Sequence, residues 1–276
     1  MITAKLLGGL GNQLFQIFTV ISYGLKNNQI PRFLYSTHTA GMSTRTTYWD
    51  SILSNLNYML VEKLPEVKYI KERSFTYADL DSIGQNGSYL LQGYFQSYKY
   101  FDKYHSSICR LLKLENQKQM VRNNTRYELD NSISIHFRIG DYKDIQDKHP
   151  ILPLTYYANA LQYILDNTKH QKLNVLYFCE EKDKHEVYKI VDVLKSMFTN
   201  VVFQHVTELT EDWQQMLVMS CCSHNIIANS TFSWWGAYFN INNGHIVCYP
   251  NKWFGPALAH DTKDLFPKNW IQIPID

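Results

Sequence analysis

Residues 134–142 read Ser-Ile-His-Phe-Arg-Ile-Gly-Asp-Tyr, so a short apolar run leads directly into an imidazole, a guanidinium and a carboxylate. Open α/β sheets bind ligands at the carboxyl ends of their strands, and arginine offers a planar pair of donors that fits phosphate oxygens. The segment therefore predicts an α/β fold in which His136, Arg138 and Asp141 form an anion site at the end of a strand. The alternative is an ordinary surface salt bridge between Arg138 and Asp141 in a turn.

The second half of the chain alternates apolar runs with helical patterns, which is typical of a parallel sheet in a Rossmann-like domain. Pro153 stands where the first residue of a helix is expected. The predicted strands lie at 133–137, 175–179, 201–203, 226–228 and 246–249, and the predicted helices at 154–166, 184–197 and 212–220. The first half is less regular, and residues 42–100 are interpreted as an inserted region.

The N-terminus repeats the order strand, loop, helix. Residues 2–7 predict a strand, the loop 8–13 reads Gly-Gly-Leu-Gly-Asn-Gln, and a helix is expected from Leu14. Glycines at such a junction allow backbone N–H groups to approach an anion closely. The loop is neither a phosphate-binding loop nor a dinucleotide fingerprint. Its alternative interpretation is a tight turn in which Asn12 caps the helix.

A third junction lies at 225–237, which reads Asn-Ile-Ile-Ala-Asn-Ser-Thr-Phe-Ser-Trp-Trp-Gly-Ala. An apolar strand ends in an amide and hydroxyls just before an aromatic helix, so polar donors again stand at a strand end. The alternative is that Ser230 and Thr231 only cap the helix while Trp234 and Trp235 belong to the core.

Taken together, these three segments resemble the α-1,2-fucosyltransferases of glycosyltransferase family 11. Residues 250–254, Pro-Asn-Lys-Trp-Phe, and 264–270, Asp-Leu-Phe-Pro-Lys-Asn-Trp, are similar to the same family. The resemblance implies an α/β fold of the GT-B type, in which two Rossmann-like domains face a cleft. It also implies a GDP-fucose donor held mainly by the C-terminal domain, and no requirement for a metal.

The resemblance also implies roles for individual residues. Arg138 is expected to bind the donor diphosphate, in a loop shaped by His136 and Asp141. Asp141 is in addition a candidate general base, and Asn12 is expected near the sugar, where it would orient the reacting groups.

Further donor contacts are implied on both sides of the site. The remaining donor-binding residues expected from the resemblance are Gly9, Gly11, Ser230, Thr231 and Phe232. The chain departs from the family pattern at Ile139, where many relatives carry a second arginine, and at Gln215, where an acidic residue is expected. Candidates for the ribose or guanine contact are therefore Glu180, Glu181 and Asp212.

These features predict two domains, residues 1–122 on the acceptor side and residues 123–276 on the donor side, with a C-terminal tail that crosses back. The net charge of +2 gives no indication of a nucleic-acid partner. The five cysteines lack paired zinc spacing and an even count, which favours a reducing compartment. No signal peptide, membrane anchor or membrane-length apolar run is evident, so a cytoplasmic protein is expected.

Asp79-Leu80-Asp81 has the spacing of the metal-binding carboxylates of A-type glycosyltransferases, and its alternative is a solvated turn. The expected activity is inverting, metal-independent transfer of L-fucose from GDP-β-L-fucose to the C2 hydroxyl of a terminal β-galactoside. Two alternatives stay open. One is a transferase of the same fold that uses another GDP-sugar, and the other is a non-catalytic protein that binds carbohydrate or nucleotide.

Overall fold

A computed structural model of the chain describes residues 1–40, 44–84, 86–168, 172–207 and 211–275. The chain divides into two compact units. Unit 1 comprises Met1–Gln117 and His260–Pro267, and unit 2 comprises Lys118–Ala259 and Lys268–Asp276. The sequence places the boundary between residues 122 and 123, inside the same helix that contains residue 117.

Unit 1 contains short strands, two complete helices and the beginning of a third. The parallel sheet has the order β1-β5-β4, and β2 pairs with β3 in parallel as a separate ribbon. The elements are β1 (Ile2–Ala4), α1 (Leu10–Lys26), β2 (Phe33–Leu34), β3 (Leu60–Val61), β4 (Lys68–Lys71), β5 (Tyr89–Gln92), α2 (His105–Leu111) and α3 (Leu114–Asn124). Within 42–100 the described residues form three short strands and 3-10 turns, as the irregular sequence indicates; residues 42, 43 and 85 lie outside the described residues.

The N-terminal junction differs from its prediction at both ends. Strand β1 ends at Ala4 instead of Leu7, and α1 begins at Leu10, with the N–H of Gln13 donating to the carbonyl of Gly9 at 3.0 Å. Gly11 and Asn12 therefore belong to the first turn of the helix and not to a loop. The reason is that α1 is buried over most of its surface, so early helical bonding brings Leu10 and its neighbours into the core.

Residues 260–267 return to unit 1 through Asp264. The Ser97 hydroxyl donates to the Asp264 carbonyl at 2.6 Å, and the Tyr77 N–H donates to its carboxylate at 3.1 Å. Lys99 forms an ion pair with the same carboxylate. Because Asp264 is buried with these partners, the C-terminal stretch is an integral part of unit 1.

Unit 2 contains a six-stranded parallel sheet with the order β8-β7-β6-β9-β10-β11. Its elements are β6 (Ser132–His136), α4 (Leu154–Asn167), β7 (Asn174–Phe178), α5 (Lys184–Met197), β8 (Phe203–His205), α6 (Asp212–Cys221), β9 (His224–Ile226), α7 (Thr231–Tyr238), β10 (Val247–Pro250) and β11 (Ile271–Ile273). The chain runs outward from β6 to β8 and then crosses to β9, so the strand order reverses between β6 and β9. Ligands of doubly wound sheets bind at such a reversal.

The alternation of patterns predicted unit 2 well. The three helices are confirmed, and all five apolar runs form strands displaced by at most two residues. Pro153 is the residue before α4 instead of its first residue, because its ψ of 161° is extended. Strand β11 was not predicted, since its residues are separated from β10 by a long irregular stretch.

Two further sequence expectations concern the whole chain. The cysteines are present as thiols, so no disulfide links the described residues. Within the described ranges, no helix combines the length and the apolar character needed to cross a membrane.

Candidate active site

The reversal point of unit 2 brings two of the three sequence segments together. The His136 ring, at the end of β6, lies 5.5 Å from the Phe232 ring, in the first turn of α7. The Tyr142 hydroxyl donates to the carbonyl of Asn229, which follows β9, at 2.9 Å. Burial raises the pKa of Tyr142 to about 12, so this phenol remains a donor at neutral pH. The segments 134–142 and 225–237 therefore form one site.

Arg138 lies at the centre of this site between two carboxylates. Its Nη2 contacts Asp141 Oδ1 at 2.5 Å, and its Nη1 pairs with Glu180 Oε1. The guanidinium also lies 5.2 Å from the centroid of the Tyr142 ring. Burial alone would lower the pKa of Arg138, but Glu180 and Asp141 outweigh it and raise that pKa above its usual value. The predicted Arg138–Asp141 bridge is thus present, but as part of a larger, partly exposed cluster that also includes Glu180.

The loop after β7 fixes the loop after β6. The N–H of Gly140 donates to Asp183 Oδ2 at 2.7 Å, and Gly140 has a φ of +26°, where a side chain is strained. A Cβ at this glycine would lie 3.2 Å from both carboxylate oxygens of Glu180. Asp183 is buried and is the functional-site residue that sequence reasoning missed. Its place in the loop after β7, which neighbours β6, could have indicated a residue of this site, although its local sequence does not identify Gly140 as the partner.

His136 is buried and its Nδ1 has no hydrogen-bond partner among the described residues. Burial, together with the neighbouring Arg138 cation, lowers the pKa of His136 to about 3. The ring is therefore neutral at physiological pH and adds no charge to the site.

The start of α7 supplies the hydroxyls that the sequence singled out. Ser230 Oγ accepts a hydrogen bond from the N–H of Phe232 at 3.3 Å, so Ser230 caps the helix, as the alternative interpretation stated. Thr231 and Phe232 form the first turn and are partly exposed. Trp234 and Trp235 are fully buried and belong to the core. The N-terminus of α7 still offers a positive dipole end beside the end of β6.

Unit 1 holds Asn12 in a defined orientation. Gly8 has a φ of +75°, and a Cβ there would lie 2.4 Å from Asn12 Nδ2, so only glycine leaves room for this amide. Gln96 Nε2 donates to Asn12 Oδ1 at 2.9 Å. Gly9 is the helix cap, which corrects the interpretation of Asn12 as the cap. A Cβ at Gly9 would meet no atom within 4 Å, so this position faces open space.

The two glutamines of the same segment have a structural role. Gln16 exchanges two hydrogen bonds with the backbone of Leu7, at 3.0 and 2.9 Å, and Gln13 donates to the carbonyls of Gly8 and Thr46. They hold the glycine turn against the helix that follows it.

The other candidates lie apart from the Arg138 cluster. Asp212 begins α6, which follows the edge strand β8, and its carboxylate accepts from the N–H of Trp213 at 2.7 Å. Glu181 pairs with Lys184 at 2.5 Å on the surface. Glu180 is therefore the one of the three ribose or guanine candidates that joins the ion-pair cluster of the described residues.

The carboxylates of the segment 79–81 are occupied by exposed ion pairs. Asp79 lies 3.5 Å from Lys26 Nζ, and Asp81 lies 2.8 Å from Arg73. Across the described part of the chain, no group of three His, Cys, Asp or Glu side chains is placed to hold a metal ion. The solvated-turn interpretation of this segment fits these contacts.

The family is decided by sequence comparison, since the sequence model of glycosyl transferase family 11 matches residues 1–274. The chain belongs to glycosyl transferase family 11. It is 28% identical over 222 residues to the O-antigen biosynthesis glycosyltransferase WbnK of Escherichia coli, covering 76% of this chain and 67% of WbnK. It is 24% identical to an alpha-1,2-colitosyltransferase of Escherichia coli, covering 99% of each chain, and 24% identical to a galactoside 2-alpha-L-fucosyltransferase of Caenorhabditis elegans, covering 99% and 79%.

Solved structures agree on the fold of this glycosyltransferase. The Escherichia coli ADP-heptose LPS heptosyltransferase II superposes with a TM-score of 0.52 at 12% identity, covering 99% of this chain and 89% of that one. A mutant of Arabidopsis thaliana FUT1 in complex with GDP superposes with a TM-score of 0.51 at 14% identity, covering 90% and 70%. The prediction of an α/β fold of the GT-B type is confirmed.

Proposed function

We propose that this family 11 enzyme transfers L-fucose from GDP-β-L-fucose to the C2 hydroxyl of a terminal β-galactoside, with inversion and without a metal. The observation that carries the proposal is the position of Arg138 at the strand reversal of unit 2, two residues after His136, whose ring lies 5.5 Å from Phe232 at the start of α7. A diphosphate needs fixed positive groups as it departs. Arg138 supplies a guanidinium fork, and the start of α7 supplies the positive end of a helix dipole.

The proposed chemistry follows the charge that develops during transfer. As the anomeric bond breaks, the sugar gains positive character and the diphosphate gains negative charge. Arg138, Ser230 and Thr231, with the backbone of Phe232, would stabilise that negative charge. In the proposal these groups surround the phosphates before transfer, so they would lower the barrier without a metal ion.

His136 would contribute shape instead of charge. Its neutral ring packs against Phe232 and lies beside Arg138, so it would hold the loop in place without adding a second positive charge next to the guanidinium. In this proposal Gly9 and Gly11 would let the backbone at the start of α1 come close to the donor.

The acceptor hydroxyl would attack the anomeric carbon from the face opposite GDP. Asp141 is the candidate general base, and such a group contributes roughly 10²–10⁴-fold where one is used. Its carboxylate is engaged by Arg138, so the proposal gives it a positioning role as well. Asn12 would hydrogen-bond the sugar or the acceptor and orient it.

A second donor has specific support, because one relative is named an alpha-1,2-colitosyltransferase and aligns over 99% of both chains. The contacts proposed around Arg138 involve only the diphosphate, so they would not distinguish the two donors. Donor sugar choice would then depend on residues that touch the sugar and not on the phosphate contacts described here.

The deciding experiment supplies the purified protein with GDP-fucose or with a colitose donor, together with a panel of β-galactosides. Released GDP is measured and the product linkage is determined by NMR. Fucose in α linkage at the galactose C2 hydroxyl is expected. Turnover with the colitose donor alone would move the assignment to the second candidate, and a different linkage would overturn the acceptor proposal.

A further inference from the structure

Both ends of the Arg138 fork are occupied by the protein's own carboxylates. Nη1 pairs with Glu180 and Nη2 with Asp141, so each of the two terminal nitrogens already directs one of its two N–H donors to a carboxylate. A diphosphate can use the full fork only after one of the two carboxylates has moved away.

The neighbouring contacts favour Glu180 as the one that moves. Asp141 lies three residues from Arg138 in a loop that is tied down at Tyr142 by the bond to Asn229. Glu180 comes from the adjacent strand end on a longer side chain, and its second oxygen already contacts Lys182 Nζ at 2.8 Å. It can therefore leave Arg138 by rotating its side chain, and it keeps a cation as its partner.

The protein also makes room for this contact. Gly140 allows the Glu180 carboxylate to sit against the loop, because a Cβ at that position would lie within 3.2 Å of both oxygens. Lys182 is mostly exposed and bears a side chain long enough to follow the carboxylate. The arrangement gives Glu180 two alternative cationic partners.

We propose that Glu180 is an internal competitor for the diphosphate: it occupies Arg138 in the empty enzyme, is displaced onto Lys182 when the nucleotide binds, and returns as GDP leaves. This inference rests on the proposed function, since it takes a nucleoside diphosphate as the ligand of Arg138. Glu180 is thus a positioning residue that acts through Arg138. It lowers nucleotide affinity and speeds GDP release.

The inference and the sequence interpretation predict opposite changes in GDP affinity when Glu180 is removed. If Glu180 binds the ribose or guanine directly, its loss weakens GDP binding and leaves inorganic pyrophosphate unaffected. If it competes for Arg138, its loss strengthens the binding of both ligands, because both depend on the guanidinium.

The test is calorimetric titration of GDP and of pyrophosphate into wild type, Glu180→Gln and Glu180→Ala, with GDP dissociation followed by stopped flow. Both variants are expected to bind both ligands roughly tenfold more tightly, and GDP is expected to leave more slowly, because a charge-assisted contact no longer competes. Glu128→Gln is the matched control, since Glu128 is an exposed glutamate of the same unit whose carboxylate accepts from the Asn131 amide instead; its affinities are expected to match wild type.

A substitution of Lys182 tests whether the Glu180 carboxylate moves onto Lys182 when the nucleotide binds. Lys182→Met is expected to weaken GDP binding several-fold in wild type and by less than twofold in the Glu180→Gln background, because Lys182 acts mainly by receiving Glu180. An equal loss of GDP affinity in both backgrounds would overturn the proposal that Glu180 exchanges between Arg138 and Lys182.

The possible failures are distinguishable. A wild-type protein that binds neither GDP nor pyrophosphate would overturn the proposed function together with the inference. A wild-type protein that binds GDP while neither Glu180 variant binds it more tightly would overturn the inference alone and leave the donor site in place.

Discussion

Gln96 fixes the amide of Asn12 by donating from Nε2 to Asn12 Oδ1 at 2.9 Å. One of the two acceptor sites of the Asn12 oxygen is therefore used, and its NH₂ is the group proposed to donate to a ligand. Gly8 supports the same orientation, because a Cβ there would collide with Nδ2. In the proposed reaction Asn12 is thus a hydrogen-bond donor and not a proton acceptor.

Gln96→Leu is expected to lower kcat by about 3- to 10-fold, because a neutral hydrogen bond contributes about 1 kcal/mol. GDP affinity should stay within twofold of wild type, since the proposed phosphate contacts lie in unit 2. Steady-state kinetics and GDP titration measure the two quantities. Gln119→Leu, on the exposed surface of α3, is the control. Weaker GDP binding with unchanged turnover would contradict the role given to Gln96.

Arg138→Lys should reduce GDP affinity by roughly 10- to 100-fold while the fold survives, because a charge-assisted contact is worth about 1.5–3 kcal/mol and a lysine cannot form the fork. Calorimetry measures the affinity, and circular dichroism checks the fold. The control is Arg110→Lys, at an exposed position on α2. Turnover close to wild type would remove Arg138 from the donor site.

The buried His136 should make folding depend on pH. Its pKa is lowered to about 3 by burial and by Arg138, whereas the unfolded chain binds the proton near pH 6.5. The unfolded state therefore binds more protons between these values, and stability is fully present above pH 6.5 and is lost as the pH falls towards 3. From pH 7.5 to 5.5 this residue should account for about 1 kcal/mol of lost unfolding free energy.

Urea denaturation of wild type and His136→Phe at these two pH values measures that contribution. The variant should lose less stability than wild type over the interval, whatever its stability at pH 7.5. His185→Asn, at an exposed position on α5, serves as the control. An identical pH dependence in wild type and His136→Phe would show that His136 titrates normally.

Chelation should leave the enzyme active. In the proposal, Arg138 and the start of α7 bind the diphosphate without a metal ion. GDP binding and turnover in excess EDTA are therefore expected to equal those without EDTA. Thermal shift with GDP and the rate of GDP release report on the two steps. Loss of turnover that Mg²⁺ or Mn²⁺ restores would refute the metal-independent mechanism.

The sequence predicted the parts of the site that local patterns encode. Apolar runs and helical periods identified unit 2, and the positions of His136 and Ser230 at strand ends follow from them, because parallel strands present their carboxyl ends on one edge. The Arg138–Asp141 pair was also visible, since three residues separate the partners.

The contacts that depend on tertiary structure could not be predicted from the sequence. Asp183 and Gln96 act on residues 43 and 84 positions away in the chain, and nothing in their local sequence indicates those partners. The extent of α1 was misjudged for a related reason: Gly11 and Asn12 disfavour a helix by propensity, but burial of the surrounding apolar residues outweighs that preference. Strand β11 was missed because it has three residues and forms by pairing with β10, so its own sequence pattern is too short to predict a strand.

The return of residues 260–267 to unit 1 determines when that unit can be completed during synthesis. The ribosome makes the chain from its N-terminus, yet Tyr77, Ser97 and Lys99 share a partner, Asp264, that is translated at least 165 residues later. Unit 2 has nearly all of its sheet available earlier, apart from β11. The N-terminal unit, although its synthesis begins first, therefore cannot be completed until most of unit 2 has been made, and a nascent chain released before Asp264 leaves those three groups without their native partner.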